Sequence, residues 1–416
     1  MAAPEFVADA AIQPLLAELS RPYARPAAPA GPLTSPLFLG LITTRGCNMA
    51  CQYCDFAAPK RASPIMRVEL ARAAIDSYLA LLAAAKEARA EVHFFGGEPF
   101  AAAHVVDFAV AYTSRRAAAL GIRPRFEVTT NGLFSERRCH WVAEHFGAVV
   151  LSLDGPPDIQ DSHRPGLMGH PTSAVVNRNA RILGQGPAEL IVRCCITEST
   201  APRLLETALW IGREFRPTAI CLESLVPSSL STAAGHASPD PWRFARNFIA
   251  AARQLETMGI QAVLSTADVT RLQVSFCPVG KDALIVAPDG AVAACYLLPE
   301  RWQKQGLHME LGYVDETRRS FVLDDGAVER VRALQVEPKS LCANCLCRYH
   351  CAGGCHVNHP SNRQPGAYTP TCIQTRLVTV ATLLHEVHED ALADAWLASA
   401  GAAGQVAWRI DDRLEA

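Results

Sequence analysis

No uninterrupted apolar run in this chain reaches the roughly 18 residues a membrane helix needs, although half of its 416 residues are hydrophobic. The N-terminus has no charged stretch followed by an apolar one, so no secretory signal is read. Charge is sparse: 19% of residues are charged, the formal net charge is −2, and no basic block suits nucleic acid. No internal repeat is evident. Together these absences predict a soluble, cytoplasmic protein with neither a membrane nor a nucleic-acid partner. Cysteine is the residue in surplus, with fifteen. The cytosol keeps thiols reduced, which excludes a disulfide framework, and the spacing of the cysteines points to metal clusters. A chain of this length buries a large core and holds more than one domain.

Cys47, Cys51 and Cys54 stand in the run Cys-Asn-Met-Ala-Cys-Gln-Tyr-Cys, just after the apolar segment Phe38-Leu39-Gly40-Leu41-Ile42. The spacing is C-x3-C-x2-C. A structural zinc site takes four ligands, and so does a cubane iron–sulfur cluster. Three thiolates without a local fourth suit a cluster with one iron left open to a small molecule. A zinc knuckle or a chance cluster on a loop is the plainer alternative. With Tyr53 before the last cysteine, the triplet resembles the signature of the radical S-adenosylmethionine (SAM) enzymes. The resemblance implies that the open iron binds the amino and carboxylate groups of SAM. It also implies that one electron cleaves SAM to methionine and a 5′-deoxyadenosyl radical.

Along the chain, residues 1–35 read as an N-terminal tail and linker, with a short helix at Ile12–Leu19 and then Pro22, Pro26, Pro29 and Pro32. From Pro36 strand-like and helix-like segments alternate. Strands are expected at Phe38–Thr43, Val92–Phe95, Arg125–Thr129, Ala148–Leu153, Ile191–Thr197 and Ala219–Val226. Helices are expected from Ser63-Pro64, and at Ala102–Leu120, Ser135–Phe146 and Ala201–Phe215. In the first of these helices Ile75, Tyr78, Leu79 and Leu82 form an amphipathic face. The alternation argues for parallel βα units. It supports an α/β fold, a partial (β/α)6 barrel over 36–265, which is the core the resemblance implies. Barrel active sites lie at the C-terminal ends of strands. From about Phe276 to Cys372 periodicity weakens and cysteines and turn residues dominate, so 266–376 reads as a second, cluster-bearing domain. Residues 377–416 form a C-terminal helical segment, with a long helix over Leu377–Ala400.

The strand Val92–Phe95 runs into Gly96-Gly97-Glu98-Pro99, where glycines let backbone approach a ligand closely. The resemblance implies that this motif binds the SAM amino group, mainly through backbone carbonyls. The next strand ends in Val128-Thr129-Thr130-Asn131-Gly132. The one after ends in Leu151-Ser152-Leu153-Asp154-Gly155, followed by His163-Arg164. These segments resemble those of peptide-modifying and sulfatase-maturing radical SAM enzymes, in which the residues matching Ser152 and Arg164 contact SAM. A guanidinium suits the SAM carboxylate. Asp154-Gly155-Pro156-Pro157 also reads as a plain turn. The candidate cofactor-binding residues are therefore Tyr53, Gly96, Gly97, Glu98, Pro99, Asn131, Ser152 and Arg164. Arg193 and Glu223, on later strands, serve either a ligand or an ion pair, because charges in apolar strands are costly unless paired. His93 reads as a satisfied core histidine.

The second cysteine set runs Cys277-x12-Gly290-x4-Cys295, then Cys342-x2-Cys345-x5-Cys351-x3-Cys355, then Cys372. It resembles the seven-cysteine SPASM domain, which carries two auxiliary iron–sulfur clusters; a zinc ribbon accounts for Cys342 and Cys345 alone. The resemblance implies one 4Fe–4S cluster on Cys342, Cys345, Cys351 and Cys372, and another on Cys277, Cys295 and Cys355. Some relatives add a cysteine shortly before the first of the set. Ser265–Phe276 contains none. The nearer cluster then has an open iron, a smaller nuclearity or another ligand, and Cys347 is a possible substitute. Cys139, Cys194, Cys195 and Cys221 read as buried small hydrophobes.

The resemblance implies a maturase that oxidatively modifies a ribosomally made precursor peptide, for example by crosslinking it. An electron donor such as flavodoxin or ferredoxin is implied, and a separate leader-peptide-binding protein is a possible partner. In sulfatase maturases an aspartate follows the cysteine matching Cys295 and acts as base. Here that residue is Tyr296, a poor base with an ordinary pKa of about 10. Formylglycine formation and radical modification of a small molecule remain alternatives. So does a non-catalytic iron–sulfur protein, which explains the cysteines but not Gly96–Pro99, Ser152 and Arg164.

Overall fold

The computed structural model describes residues 29, 31, 33–54, 63–343, 345–359 and 368–402. The helix expected at Ile12–Leu19 lies outside them. Seven strands alternate with helices: β1 (Leu39–Ile42), α1 (Val68–Ala84), β2 (Arg89–Phe95), α2 (Ala103–Ala119), β3 (Arg123–Thr130), α3 (Glu136–His145), β4 (Ala148–Ser152), α4 (Pro157–His163), α5 (Ser173–Gln185), β5 (Glu189–Ile196), α6 (Leu204–Phe215), β6 (Ala219–Ser224), α7 (Ser229–Ala233), α8 (Pro241–Glu256) and β7 (Gln261–Val263). They pair in chain order, each parallel to the next. The strands alternate in burial. In β5, Leu190, Val192, Cys194 and Ile196 are buried while Ile191, Arg193 and Cys195 are less so. One side of the pleat thus packs on helices and the other lines the barrel interior. Ile75, Tyr78, Leu79 and Leu82 of α1 are all buried, each such side chain stabilising the fold by about 1.5–3 kcal/mol.

Several expectations need correction. Helix α1 starts at Val68, not at Ser63-Pro64. Ile65 instead forms an antiparallel bridge with Thr44, and Met66 N donates to Thr43 O at 2.8 Å. The segment is held extended as a lid on the end of β1. The terminal helix is two helices, Pro370–Glu386 and Asp390–Ala402, parted at His388, whose φ is 63°. Within the barrel, helices α4, α5, α7 and α8 are additional to those expected from sequence.

The cysteine-rich region also carries strands. β8 (Leu284–Val286), β9 (Ala291–Ala293), β10 (Glu310–Asp315) and β11 (Ser320–Leu323) form an antiparallel run whose first member pairs in parallel with β1. The result is one eleven-stranded sheet. Strands β8 and β9 hold three residues each and turn through Asp289-Gly290, too short to show alternation in sequence. The remaining helices are α9 (Pro299–Gln303), α10 (Asp325–Arg332), α11 (Arg348–Cys351), α12 (Pro370–Glu386) and α13 (Asp390–Ala402). Thr369 caps α12 by accepting from Cys372 N at 3.3 Å, which fixes Cys372 in the first turn. No described helix is long and apolar enough to cross a membrane.

Candidate active site

The loop after β1 carries Cys47, Cys51 and Cys54 and is clamped from three sides. Gly97 N donates to Thr44 O (2.9 Å) and Glu98 N to Gly46 O (2.8 Å). Asn48 donates to Leu133 O and accepts from Asn131 Nδ2, both at 2.8 Å. Ala50 N and Gln52 N donate to Pro165 O and His163 O, at 2.8 and 3.0 Å. The ends of β2, β3 and β4 thus converge on the cysteine loop, as a barrel's C-terminal face requires. The glycine pair does its work here. A Cβ at Gly97 would lie 2.1 Å from Gly46 O, and one at Gly96 2.3 Å from Thr44 O. The close approach that demands glycine is therefore to the cysteine loop itself.

The three thiols are near enough that ionising one opposes ionisation of the next. Burial pushes Cys47 up to about 11 and Cys51 up to about 12. Cys47 Sγ accepts from Met49 N (3.4 Å) and Asn131 Nδ2 (3.5 Å), and Arg164 Nη1 lies 3.9 Å from Cys51 Sγ. Soft thiolates with N–H donors and a cation around the sulfurs fit an iron–sulfur cluster, whose properties depend on such outer contacts.

The other sequence candidates are built into this frame. Buried Glu98 accepts from Phe100 N (3.1 Å), Thr130 Oγ1 (2.7 Å) and Asn131 N (2.8 Å). Its carboxylate ties the end of β2 to that of β3, and burial pushes its pKa up to about 7 against those bonds. Pro99 opens a 3-10 turn and its carbonyl accepts from Thr43 Oγ1 at 3.2 Å. Ser152 ends β4 opposite Arg193 of β5, half-buried on the same side as Val150. Arg164 sits over the Tyr53 ring at 5.3 Å, with Nε 3.1 Å from Asp154 Oδ1.

Asp154 is the residue that sequence reasoning missed. It is not merely part of a turn. Fully buried, it also accepts from the Tyr53 hydroxyl, from Cys195 N (3.0 Å) and from His163 Nδ1 (3.2 Å). Burial alone would raise its pKa, but Arg164, His163 and Tyr53 more than offset that and hold it at about 2. The available signal was an acid at a strand end, nine and ten residues before a His-Arg pair. Of the remaining charges, Glu223 is satisfied by Ser265 N at 3.1 Å and by the Ser265 hydroxyl. His93 stacks on Phe38 at 4.2 Å, and burial lowers its pKa to about 4.

The second cysteine set separates into two groups. Cys342, Cys345, Cys351 and Cys372 line one small cavity. Cys277, Cys295 and Cys355 form another group, in which each thiol opposes ionisation of its neighbours. Cys347 is not a substitute ligand in that second group. It is buried against Cys345 and Thr379 and lines the first cavity, because it follows Cys345 by two residues on the turn into α11. Cys139 and Cys194 are fully buried, whereas Cys195 and Cys221 are partly exposed, on the barrel-facing side of their strands.

This fold and this site define a class: a partial βα barrel with a three-thiol loop at its mouth and an appended cysteine-rich domain. Residues 41–181 match the Radical SAM superfamily, and residues 277–346 match SPASM, an iron–sulfur cluster-binding domain. The chain is 24% identical to the serine-type anaerobic sulfatase-maturating enzyme of Klebsiella aerogenes, over 77% of this chain and 80% of that one. It is 26% identical to the cysteine-type enzyme of Clostridium perfringens (strain 13 / Type A), over 38% of this chain and 43% of that one. The structure of native anSMEcpe with bound AdoMet and Cp18Cys peptide superposes with a TM-score of 0.65 at 18% identity, covering 84% of this chain and 98% of that one. Streptococcus suis SuiB bound to S-adenosylmethionine gives 0.54 at 15% identity, covering 78% and 74%. At such identities the structural likeness shows a shared fold. The protein belongs to the radical SAM/SPASM family and is a SAM-dependent iron–sulfur enzyme.

Proposed function

We propose that this enzyme oxidatively modifies a ribosomally made precursor peptide, for example by crosslinking two of its residues. The observation that carries the reading is a half-open cleft bounded by Tyr53 and Cys54 on one side and by Leu297, Leu298, Arg301 and Asn358 on the other. Asn358 N donates to Cys355 Sγ at 3.4 Å. A substrate segment in this cleft lies between the cysteine triplet and the nearer auxiliary set. When bound, SAM and the triplet's cluster supply a hydrogen-abstracting radical. In this reading Cys47, Cys51 and Cys54 hold that cluster, and Tyr53, Ser152, Arg164, Asn131 and the Gly96–Pro99 segment position SAM. Leu297 and Leu298 exclude water from the substrate. Streptococcus suis SuiB, which has this fold, has been seen bound to precursor peptide SuiA. A flavodoxin- or ferredoxin-type donor and a separate leader-binding protein belong to the same proposal.

Formylglycine formation is the second reading, favoured by the Klebsiella aerogenes relative. Tyr296 weighs against it. Its ring packs 4.6 Å from Phe95 and 6.3 Å from Phe38, and a Cβ at Gly40 would touch its hydroxyl at 2.6 Å. Burial and Glu127 push its pKa well above the ordinary tyrosine value, so it is a worse base than a free tyrosine. Tyr296→Phe should therefore keep 5′-deoxyadenosine formation and peptide turnover within about threefold of wild type, because loss of one weak contact is worth under ~1 kcal/mol. A loss of a hundredfold or more, measured by chromatography of both products, would reinstate a proton-transfer role at this position.

The deciding experiment incubates anaerobically reconstituted enzyme with SAM, dithionite and peptides from two sources. One is a peptide encoded by a short neighbouring reading frame, the other a sulfatase-derived peptide. Crosslinking and formylglycine formation from serine both remove two hydrogens, so mass alone does not separate them. A hydrazide probe does, since only formylglycine carries an aldehyde. A probe-unreactive product from the first peptide supports the crosslinking maturase. Aldehyde on the second peptide alone would replace it with the maturation of sulfatases.

A further inference from the structure

Lys339 is one of the most deeply buried charged side chains, 2% exposed. It precedes the 3-10 turn Ser340–Cys342, and its own carbonyl accepts from Cys342 N at 2.9 Å. Its ammonium donates to Gly353 O at 2.8 Å. Gly353 lies in the short run between Cys351 and Cys355, that is, between one auxiliary cysteine group and the other. The space for the ammonium exists because residue 353 has no side chain: a Cβ there would meet Lys339 Nζ at 2.7 Å. The acidic groups acting on Lys339 are Cys342 and Cys351 of the first group and Cys355 and Cys277 of the second. Among the described residues it makes no ion pair with a carboxylate.

A buried ammonium costs several kcal/mol unless an anion compensates it. One carbonyl contact does not meet that cost, and neutral thiols add little. Thiolates bound to iron do, because a cubane with four thiolates is anionic and each one-electron reduction adds a further negative charge. Net charge and outer contacts are what set cluster potentials.

We propose that Lys339 is the shared counter-ion of the two auxiliary clusters and raises the reduction potential of both. This rests on the reading that both cysteine groups hold clusters. Its consequence is specific: one side chain sets how readily either cluster takes an electron from a substrate radical. The ammonium favours the reduced form of each cluster by attraction and transfers no proton.

The test is potentiometric titration of the full, reconstituted chain, followed by electron paramagnetic resonance, with iron counted on the same samples. In Lys339→Met the reduced-to-oxidised ratio of both auxiliary clusters at a fixed potential should fall at least tenfold, a shift of about 59 mV for one electron. The cluster on Cys47, Cys51 and Cys54 should not move. Lys339→Arg keeps the charge and should stay within threefold of wild type. Full iron with unmoved potentials in Lys339→Met would overturn the proposal, as would movement of one auxiliary cluster alone. Should Lys339→Met lose auxiliary iron, retention by Lys339→Arg supports the charge role, and loss from both variants overturns it in favour of packing. Wild-type protein holding only the triplet's iron would overturn the two-cluster reading itself, a result visible in the iron count before any titration.

Discussion

Replacing Cys47, Cys51 and Cys54 together with alanine should abolish 5′-deoxyadenosine formation and remove about a third of the bound iron. Three cubane clusters require about twelve irons, so about eight should remain. The expectation follows from how the loop is held. Its backbone is fixed by Gly97, Glu98, Pro165 and His163, and its Asn48 side chain by Asn131, through bonds that do not involve the thiols. The triple variant should therefore fold, keep the auxiliary iron and lack the thiolates proposed to hold the SAM-cleaving cluster. Iron and sulfide analysis with product chromatography reads both consequences. 5′-Deoxyadenosine from the variant, or loss of all its iron, would show that the triplet does not act as an independent cluster site.

Asp154→Asn should cost about 3–5 kcal/mol of stability, because it leaves Arg164 buried without its anion. The amide oxygen can still accept from Cys195 N, but the NH2 in place of Oδ2 cannot accept from Tyr53 or His163, so the loss combines the charge with those two bonds. Arg164 would no longer be fixed beside Cys51 and over Tyr53, and SAM affinity should fall at least tenfold, about 1.4 kcal/mol. The pH dependence has a definite sign. The native carboxyl sits at about 2 against 3.8 for an unperturbed one. A depressed carboxyl contributes stability that is present above its unfolded pKa and lost as pH falls through the folded one. That contribution is about 2 kcal/mol. The gap between wild type and Asp154→Asn should hold at neutral pH and narrow between pH 4 and 2. Thermal unfolding across that range checks it. A gap independent of pH would mean that the lost interaction is not the carboxylate's charge.

The parts of the site legible in sequence are those whose chemistry is local. Cysteines three and four apart share one loop whatever the fold does around them, so the triplet and the runs Cys342–Cys345 and Cys351–Cys355 announce themselves. The alternation of apolar strands and amphipathic helices over β1–β6 is equally local, since pleat and helix periods are written residue by residue. Ser63-Pro64 shows where this fails. Its helix-start pattern is sound, but pairing of Ile65 with Thr44 across the end of β1 overrides it. Strands β8 and β9 fail for another reason: three residues carry no period, and it is pairing of β8 with the edge of β1, and of β9 with β8 and β10, that makes them strands.

What the sequence determined by itself, then, is the metal chemistry, the βα core and the family, because each rests on residue types at short fixed spacings. The tertiary structure alone decided which distant groups meet. It brought Asp154 to Arg164 and Tyr53, seated Tyr296 against Gly40 and Phe95, and placed Lys339 between two cysteine groups. Such contacts join residues tens to hundreds of positions apart. They depend on the order in which strands pair and on where a buried charge finds its partner, and no local spacing encodes either.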